Sequence, residues 1–123
     1  MIDSKPLLVH SIISAIDDLK GEQINLIDLR EVDHAVCDWM IVCHGNSSTH
    51  VQAIAHNVEK ESKINAQTPA LGYEGRNSAD WILLDFFDVI VHVFSQEKRA
   101  FYDLESVWGD APQQIITPQE EEK

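Results

Sequence analysis

The chain is poor in cysteine, proline and glycine, with 2, 4 and 5 respectively among 123 residues. Two cysteines, Cys37 and Cys43, do not make a disulfide framework, so a reducing, cytoplasmic setting is expected. No apolar run approaches the roughly 20 residues a spanning helix needs, which leaves no expected membrane partner. The polar N-terminus and the short Leu7 to Val9 stretch are too little for the apolar core of a secretory signal. Basic residues are also scarce. Nine Lys and Arg stand against 21 Asp and Glu, a formal charge of −12. A surface that acidic repels phosphate backbones, so little direct nucleic-acid binding is expected. It favours a basic protein partner, with steering that weakens as salt rises. Part of the charge sits in the Glu120 to Glu122 tail, which reads as solvated.

What is present is ordinary for one folded domain: 44% hydrophobic and 24% charged residues in a length that supports a single core. Ser4 to Pro6 offers a helix start. Leu8, Ile12, Ile16 and Leu19 recur at helical spacing, and Gly21 is a natural stop. Ile24 to Leu29 reads as a short strand and Trp39 to Cys43 as a buried one. Gly45-Asn-Ser-Ser48 then opens a helix, with Ser47 or Ser48 as N-cap and Val51, Ile54, Ala55 and Val58 on one face. Asn65 to Pro69 is turn chemistry. Gln96 to Trp108 reads as a last helix, with Phe101, Leu104 and Trp108 near one face. From Gly109 on, prolines, glutamines and acids read as a loose tail. The helix after Trp39 to Cys43 implies a crossover and one parallel strand pair. The expected fold is therefore α/β, a mixed sheet of about five strands flanked by helices.

Leu71 to Phe94 is the most informative stretch. A polar, turn-rich entry leads into two apolar runs separated by a loop with Asp85 and Asp88 at its ends, the pattern of a β-hairpin. Alternation places Trp81, Leu83 and Asp85 on one sheet face, Ile82 and Leu84 on the other. Trp81 reads either as a cap on the core or as a binding anchor. With Tyr73 nearby and Glu74, Asp80, Asp85 and Asp88 around it, it would form an apolar centre with an acidic rim, suited to a basic protein. Arg76 and Arg99 are the opposite charges that could structure that rim.

Other chemistries find little support. The Gly45 to Ser48 junction could hold an anion at a helix N-terminus, but it lacks P-loop lysine and glycine spacing, and capping explains it. A nucleotidyltransferase would need a carboxylate pair on the next strand to hold magnesium, and no Asp-x-Asp appears there. Six histidines (His10, His34, His44, His50, His56, His92) show no helical ligand spacing, so no metal and no cofactor is expected. Neither cysteine has a visible activating base.

Asp38-Trp-Met-Ile-Val-Cys-His-Gly-Asn-Ser47, running into His50 to Ala55, resembles the ribosome silencing factor (Iojap-like) family. So do Gly72-Tyr-Glu-Gly75, Ala79 to Asp85, Asp88 to Phe94 and Arg99-Ala-Phe-Tyr-Asp-Leu-Glu-Ser-Val-Trp108, all in the family's order. Phe87 departs from the pattern, because the family's Asp-x-x-Asp loop commonly carries glycine there; a more exposed Phe86–Phe87 tip follows. The resemblance implies one silencing-factor domain over residues 1–108, ahead of the flexible acidic tail that composition gives over 109–123, and nucleotidyltransferase-like topology without the catalytic carboxylates. It implies a translational repressor, not an enzyme. Such a protein binds a basic protein on the inter-subunit face of the large ribosomal subunit and sterically blocks small-subunit joining when nutrients are short. A large-subunit assembly factor is the alternative, and a nucleotidyltransferase-like enzyme a more remote one. A homodimer through one apolar face is also implied. Carried over by position, the partner-binding residues would be Trp81, Tyr73, Glu74, Asp80, Leu83, Asp85, Arg99 and Tyr102.

Overall fold

Helix α1 runs from Leu7 to Asp18, directly after an extended Pro6. Proline suits this position because its missing N–H falls where a helix start leaves donors unpaired anyway. The computed structural model describes residues 5–78 and 80–116, so Ser4 lies outside the described residues. Val9, Ile12, Ala15 and Ile16 are the buried apolar residues of the helix. The expected stop at Gly21 shifts by one residue. Lys20 is the left-handed residue (φ 61°), and the N–H groups of Lys20 and Gly21 donate to the carbonyls of Asp17 and Ile16. This is the paired-bond Schellman closure. Gly21 is required for space instead, since a Cβ there would run into Ile16 Cγ2.

Strands β1 (Glu22–Asp28) and β2 (Trp39–Gly45) follow, then helix α2 (Ser48–Asn65), capped by the Ser47 side chain accepting from the His50 N–H. Beyond α2 come β3 (Gly72–Glu74), β4 (Trp81–Asp85), β5 (Val89–Ser95), α3 (Gln96–Tyr102), α4 (Leu104–Val107) and β6 (Gln113–Ile115). The strands form one sheet in the order β3-β4-β5-β2-β1-β6. Among the described residues only β2 and β5 pair in parallel; the other neighbours are antiparallel. The parallel pair expected after the crossover is thus present, but α2, β3 and β4 all lie between its members. Every residue of β2 is buried, as the centre of a sheet covered on both faces demands.

The expected mixed sheet of about five strands is present and numbers six among the described residues; two other expectations are corrected. β3 and β6 are three-residue edges, too short to show alternation of their own. The loose tail expected from Gly109 instead returns to the sheet, where Gln113, Gln114 and Ile115 pair with Ile27, Leu26 and Asn25. The acidic Glu120 to Glu122 segment lies outside the described residues. Finally, the Gln96 to Trp108 helix is broken at Asp103, whose φ of 48° ends α3 and starts α4. Phe101 is consequently 73% exposed, while Leu104 and Trp108 pack against the core without it.

Helices α1 and α2 cover one sheet face, burying Ile24, Leu26, Ile41, Cys43, Ile82, Leu84, Val91 and Val93. A second cluster on the other face joins Ile27, Met40, Val42 and Phe94 to Trp81, Ile90, Leu104 and Trp108. On that face Leu83, Asp85 and Ile90 remain partly exposed.

In the β4–β5 turn, Asp85 Oδ1 accepts from the Phe87 N–H at 2.8 Å. Phe87 has φ 76° and is 73% exposed, but Phe86 is buried at 4%, so the expected exposed tip is one ring rather than two. A bulky residue in the left-handed region is strained. Phe87→Gly is therefore expected to raise stability by about 1 kcal/mol, read as a higher urea midpoint at unchanged slope.

Candidate protein-docking surface

Trp81 begins β4 and is held by the loop before it. Gly75 takes φ +75°, and a Cβ there would strike the Trp81 carbonyl oxygen, so both the turn and the close approach require glycine. Ser78 Oγ accepts from the N–H groups of Asp80 (3.0 Å) and Trp81 (3.2 Å). From α2, Gln52 Nε2 donates to the carbonyls of Asn77 and Ser78. The α2 helix thus sets the loop, and the loop sets the tryptophan backbone.

Alternation does the rest, as expected: Ile82 and Leu84 are buried under the helices, and Trp81, Leu83 and Asp85 face the opposite side. Antiparallel pairing sets Phe94 opposite Trp81, His92 opposite Leu83 and Ile90 opposite Asp85. Trp81 is partly buried, with ring centroids 5.1 Å from Phe94 and 4.5 Å from Tyr102. Its Nε1–H donates to His92 Nδ1 at 3.0 Å. Burial pushes the His92 imidazole down to about 4, so it is neutral at pH 7 and able to accept. Beside the indole lies a shallow depression of about 280 Å³ lined by Glu74, Gly75, Trp81 and Leu83. Phe101 extends the apolar area, its ring edge-on to Tyr102 at 5.1 Å.

The surface gathers most, but not all, of the residues singled out from the sequence. Glu74 pairs with Leu83 and shares its face. Tyr102 closes over Trp81 from the end of α3. Asp85 is on the same face, with one carboxylate oxygen engaged in its own turn. Asp80 is exposed at the margin, where it also lines the cleft at the α2 N-terminus with Gly45, Asn46, Ser47 and Glu97.

Tyr73 is not brought there. It pairs with Leu84, so it points to the α2 side, where it packs on the core with Arg76 stacked 3.6 Å over its ring. Arg76 in turn reaches Glu59 of α2. Arg99 is not brought there either. It is 8% exposed and bonded to His44, the Glu22 carbonyl and Glu105. Neither arginine structures the rim.

Two residues that sequence reasoning passed over complete the site: His92, counted only among possible ligands, and Phe94. The register of a hairpin turning between Asp85 and Asp88 would have placed both beside Trp81.

Other chemistry has little to work with. Burial pushes the Cys43 thiol up to about 12 and the Cys37 thiol to about 11, so neither is a nucleophile at neutral pH. No group of three or more His, Cys, Asp or Glu is placed to hold a metal among the described residues. Three histidines have structural bonds: His44 to Arg99, His50 to Leu19 and Asn46, and His92 to Trp81. The cleft at the α2 N-terminus carries two carboxylates, Asp80 and Glu97, which oppose an anion there.

A family model described as "ribosomal silencing factor during starvation" matches residues 2–123. A ribosomal silencing factor of Halalkalibacterium halodurans is 40% identical over 105 residues, covering 85% of this chain and 88% of that protein. More distantly, a mouse protein named for mitochondrial assembly of the ribosomal large subunit is 30% identical over 73 residues, 58% of this chain and 32% of that protein. Among solved structures, a crystal structure of a Chromobacterium violaceum protein aligns with a TM-score of 0.79 at 29% identity. It covers 97% of this chain and 100% of the other. A sequence match across almost the whole chain, together with this shared architecture, shows that the chain belongs to the ribosomal silencing factor family.

Proposed function

We propose that the chain binds the large ribosomal subunit through the Trp81 face and, by occupying the inter-subunit side, sterically prevents the small subunit from joining. The observation that carries this reading is a partly exposed tryptophan, held rigidly on an open sheet face, with Glu74, Asp80 and Asp85 around it. Large, rigid aromatics at a partly apolar centre dominate interface energetics, and an acidic rim selects a basic ribosomal protein over RNA. The net charge of −12 adds long-range attraction to such a partner. Blocking a shared surface requires no chemistry, so the protein acts as a repressor and not as an enzyme, in the cytoplasm where subunits join. Nutrient limitation is the condition the family's description attaches to this activity.

Co-sedimentation with separated ribosomal subunits tests the reading. Wild type is expected with the large subunit alone, and it should suppress formation of joined ribosomes. Folded Trp81→Ala should bind more weakly by about 2 kcal/mol, roughly 30-fold. Raising salt should weaken the wild type. Binding unaffected by Trp81→Ala would sink the docking surface.

The mouse relative's name supports a second reading, participation in large-subunit assembly. That role predicts association with immature particles and no effect on joining of mature subunits. Self-association is a third question, settled by the sedimentation behaviour of the free protein.

A further inference from the structure

We infer that His92 is a positioning residue for the docking surface: its Nδ1 holds the Trp81 indole in the orientation that the partner meets, without touching the partner itself. This rests on the docking reading above. The geometry is specific. Leu83 and His92 are directly opposite across the β4–β5 pair, which makes His92 the diagonal neighbour of Trp81 on the same face.

Indole has one polar atom, and it can only donate. His92 Nδ1 receives that bond at 3.0 Å, so the imidazole proton resides on Nε2. Phe94 and Tyr102 restrict the ring from other sides, at centroid distances of 5.1 and 4.5 Å. Stacking contacts tolerate a flip of the indole about its bond to Cβ, because flat apolar faces do not distinguish the two edges. A hydrogen bond does, because the flip would carry Nε1 away from Nδ1. His92 is 5% exposed. It therefore contributes little contact area of its own, and its effect on binding passes through Trp81. Without the acceptor, the indole edge would be free to seek water, and the partner would have to order it on binding.

Two replacements isosteric with each other separate this from packing. Asparagine carries Oδ1 where histidine carries Nδ1; leucine carries a methyl in the same place. Both lose the rest of the ring and have the same shape, so their packing defects are similar, and the difference facing the indole is the acceptor. The chain has three tryptophans, so three indole N–H signals are expected in a nitrogen-proton NMR spectrum, with that of Trp81 identified from Trp81→Phe.

His92→Asn is expected to bind large subunits within about twofold of wild type, and His92→Leu roughly fivefold to tenfold more weakly, the range of one unrestrained side chain. Asparagine also buries an Nδ2 amide where leucine has a methyl, so binding is compared at equal concentrations of folded protein. The Trp81 indole proton should stay downfield in His92→Asn, and should move upfield and exchange faster with solvent in His92→Leu. Wild type alone should show a nitrogen–nitrogen coupling across the bond between Trp81 Nε1 and His92 Nδ1, which needs no variant to fold.

Equal binding by the two variants overturns the inference, as does absence of that coupling. Parallel measurement of Trp81→Ala shows which idea has failed. If it binds as wild type does, the docking reading falls and takes this one with it. If it loses binding while the asparagine and leucine variants bind alike, only the role of His92 falls.

Discussion

Arg99→Ala is expected to destabilise the fold by about 3 kcal/mol, the low end for breaking a buried charge pair. The Arg99 guanidinium joins four elements. From α3 it donates to His44 Nδ1 on β2 at 3.0 Å, to the Glu22 carbonyl on β1 at 3.3 Å, and to the Glu105 carboxylate on α4. Glu105 Oε2 also accepts from Asn25 Nδ2, and the same amide donates to Gln113 Oε1 on β6. Arginine has no acceptor, so His44 must accept and is neutral. Burial, and then the Arg99 charge, hold the His44 imidazole below its ordinary value. Removing Arg99 leaves a partly buried carboxylate without its cation and an imidazole nitrogen without its donor. The loss stays at the low end because the Glu105 side chain is 23% exposed and can recruit water. Urea denaturation measures it. Arg99→Ala/Glu105→Ala should cost less than the two single replacements added together, because the double variant leaves no orphaned charge. Affinity for the large subunit should fall only as far as folded protein is lost. A loss of under 1 kcal/mol would show that the network is not holding the helices to the sheet.

Acidification from pH 7 towards pH 4 is expected to remove about 3 kcal/mol through His92 alone. Its imidazole is pushed from an ordinary 6.5 down to about 4 by burial. Between those values the unfolded chain takes up a proton that the folded chain refuses, so stability falls as pH falls. At pH 7 both states are neutral and the contribution is complete; by pH 5 about 2 kcal/mol should be gone. His44, also depressed, acts in the same direction. Asp28 is not responsible in this window. The Arg30 hydrogen bond holds its carboxylate below the ordinary value, so its loss comes at lower pH. Partial neutralisation of the acidic surface opposes the trend in wild type and variants alike. Urea midpoints across pH 5 to 7 should therefore slope steeply in wild type and more shallowly in His92→Asn, where only the His44 contribution remains. A flat wild-type profile would mean that His92 is solvated in solution.

Much of the architecture was legible because it rests on short-range pattern. The α1 and α2 stripes, the buried run from Trp39 to Cys43 and the alternation from Trp81 to Asp85 each report burial with their own period. What escaped has no period. β3 and β6 are strands only because β4 and β1 offer them edges. The break at Asp103 needs one residue in a left-handed conformation, which aspartate adopts without announcing it. Tyr73 lies close in sequence to Glu74 and Trp81 but on the other face. A one-residue offset in a strand reverses direction, and the register that sets it comes from β4.

The amino-acid sequence by itself determined the elements that carry a continuous apolar stripe, the acidic character of the surface and the prominence of Trp81. These follow from local spacing and charge, which need no knowledge of partners. Only the tertiary structure decided which residues surround that tryptophan. It brought His92, Phe94 and Tyr102 to the indole, turned Tyr73 away from it, and drew Arg99 inward to His44 and Glu105. The reason is that strand register and the burial of a charge are properties of pairs distant along the chain, selected by the energy of the whole packed sheet.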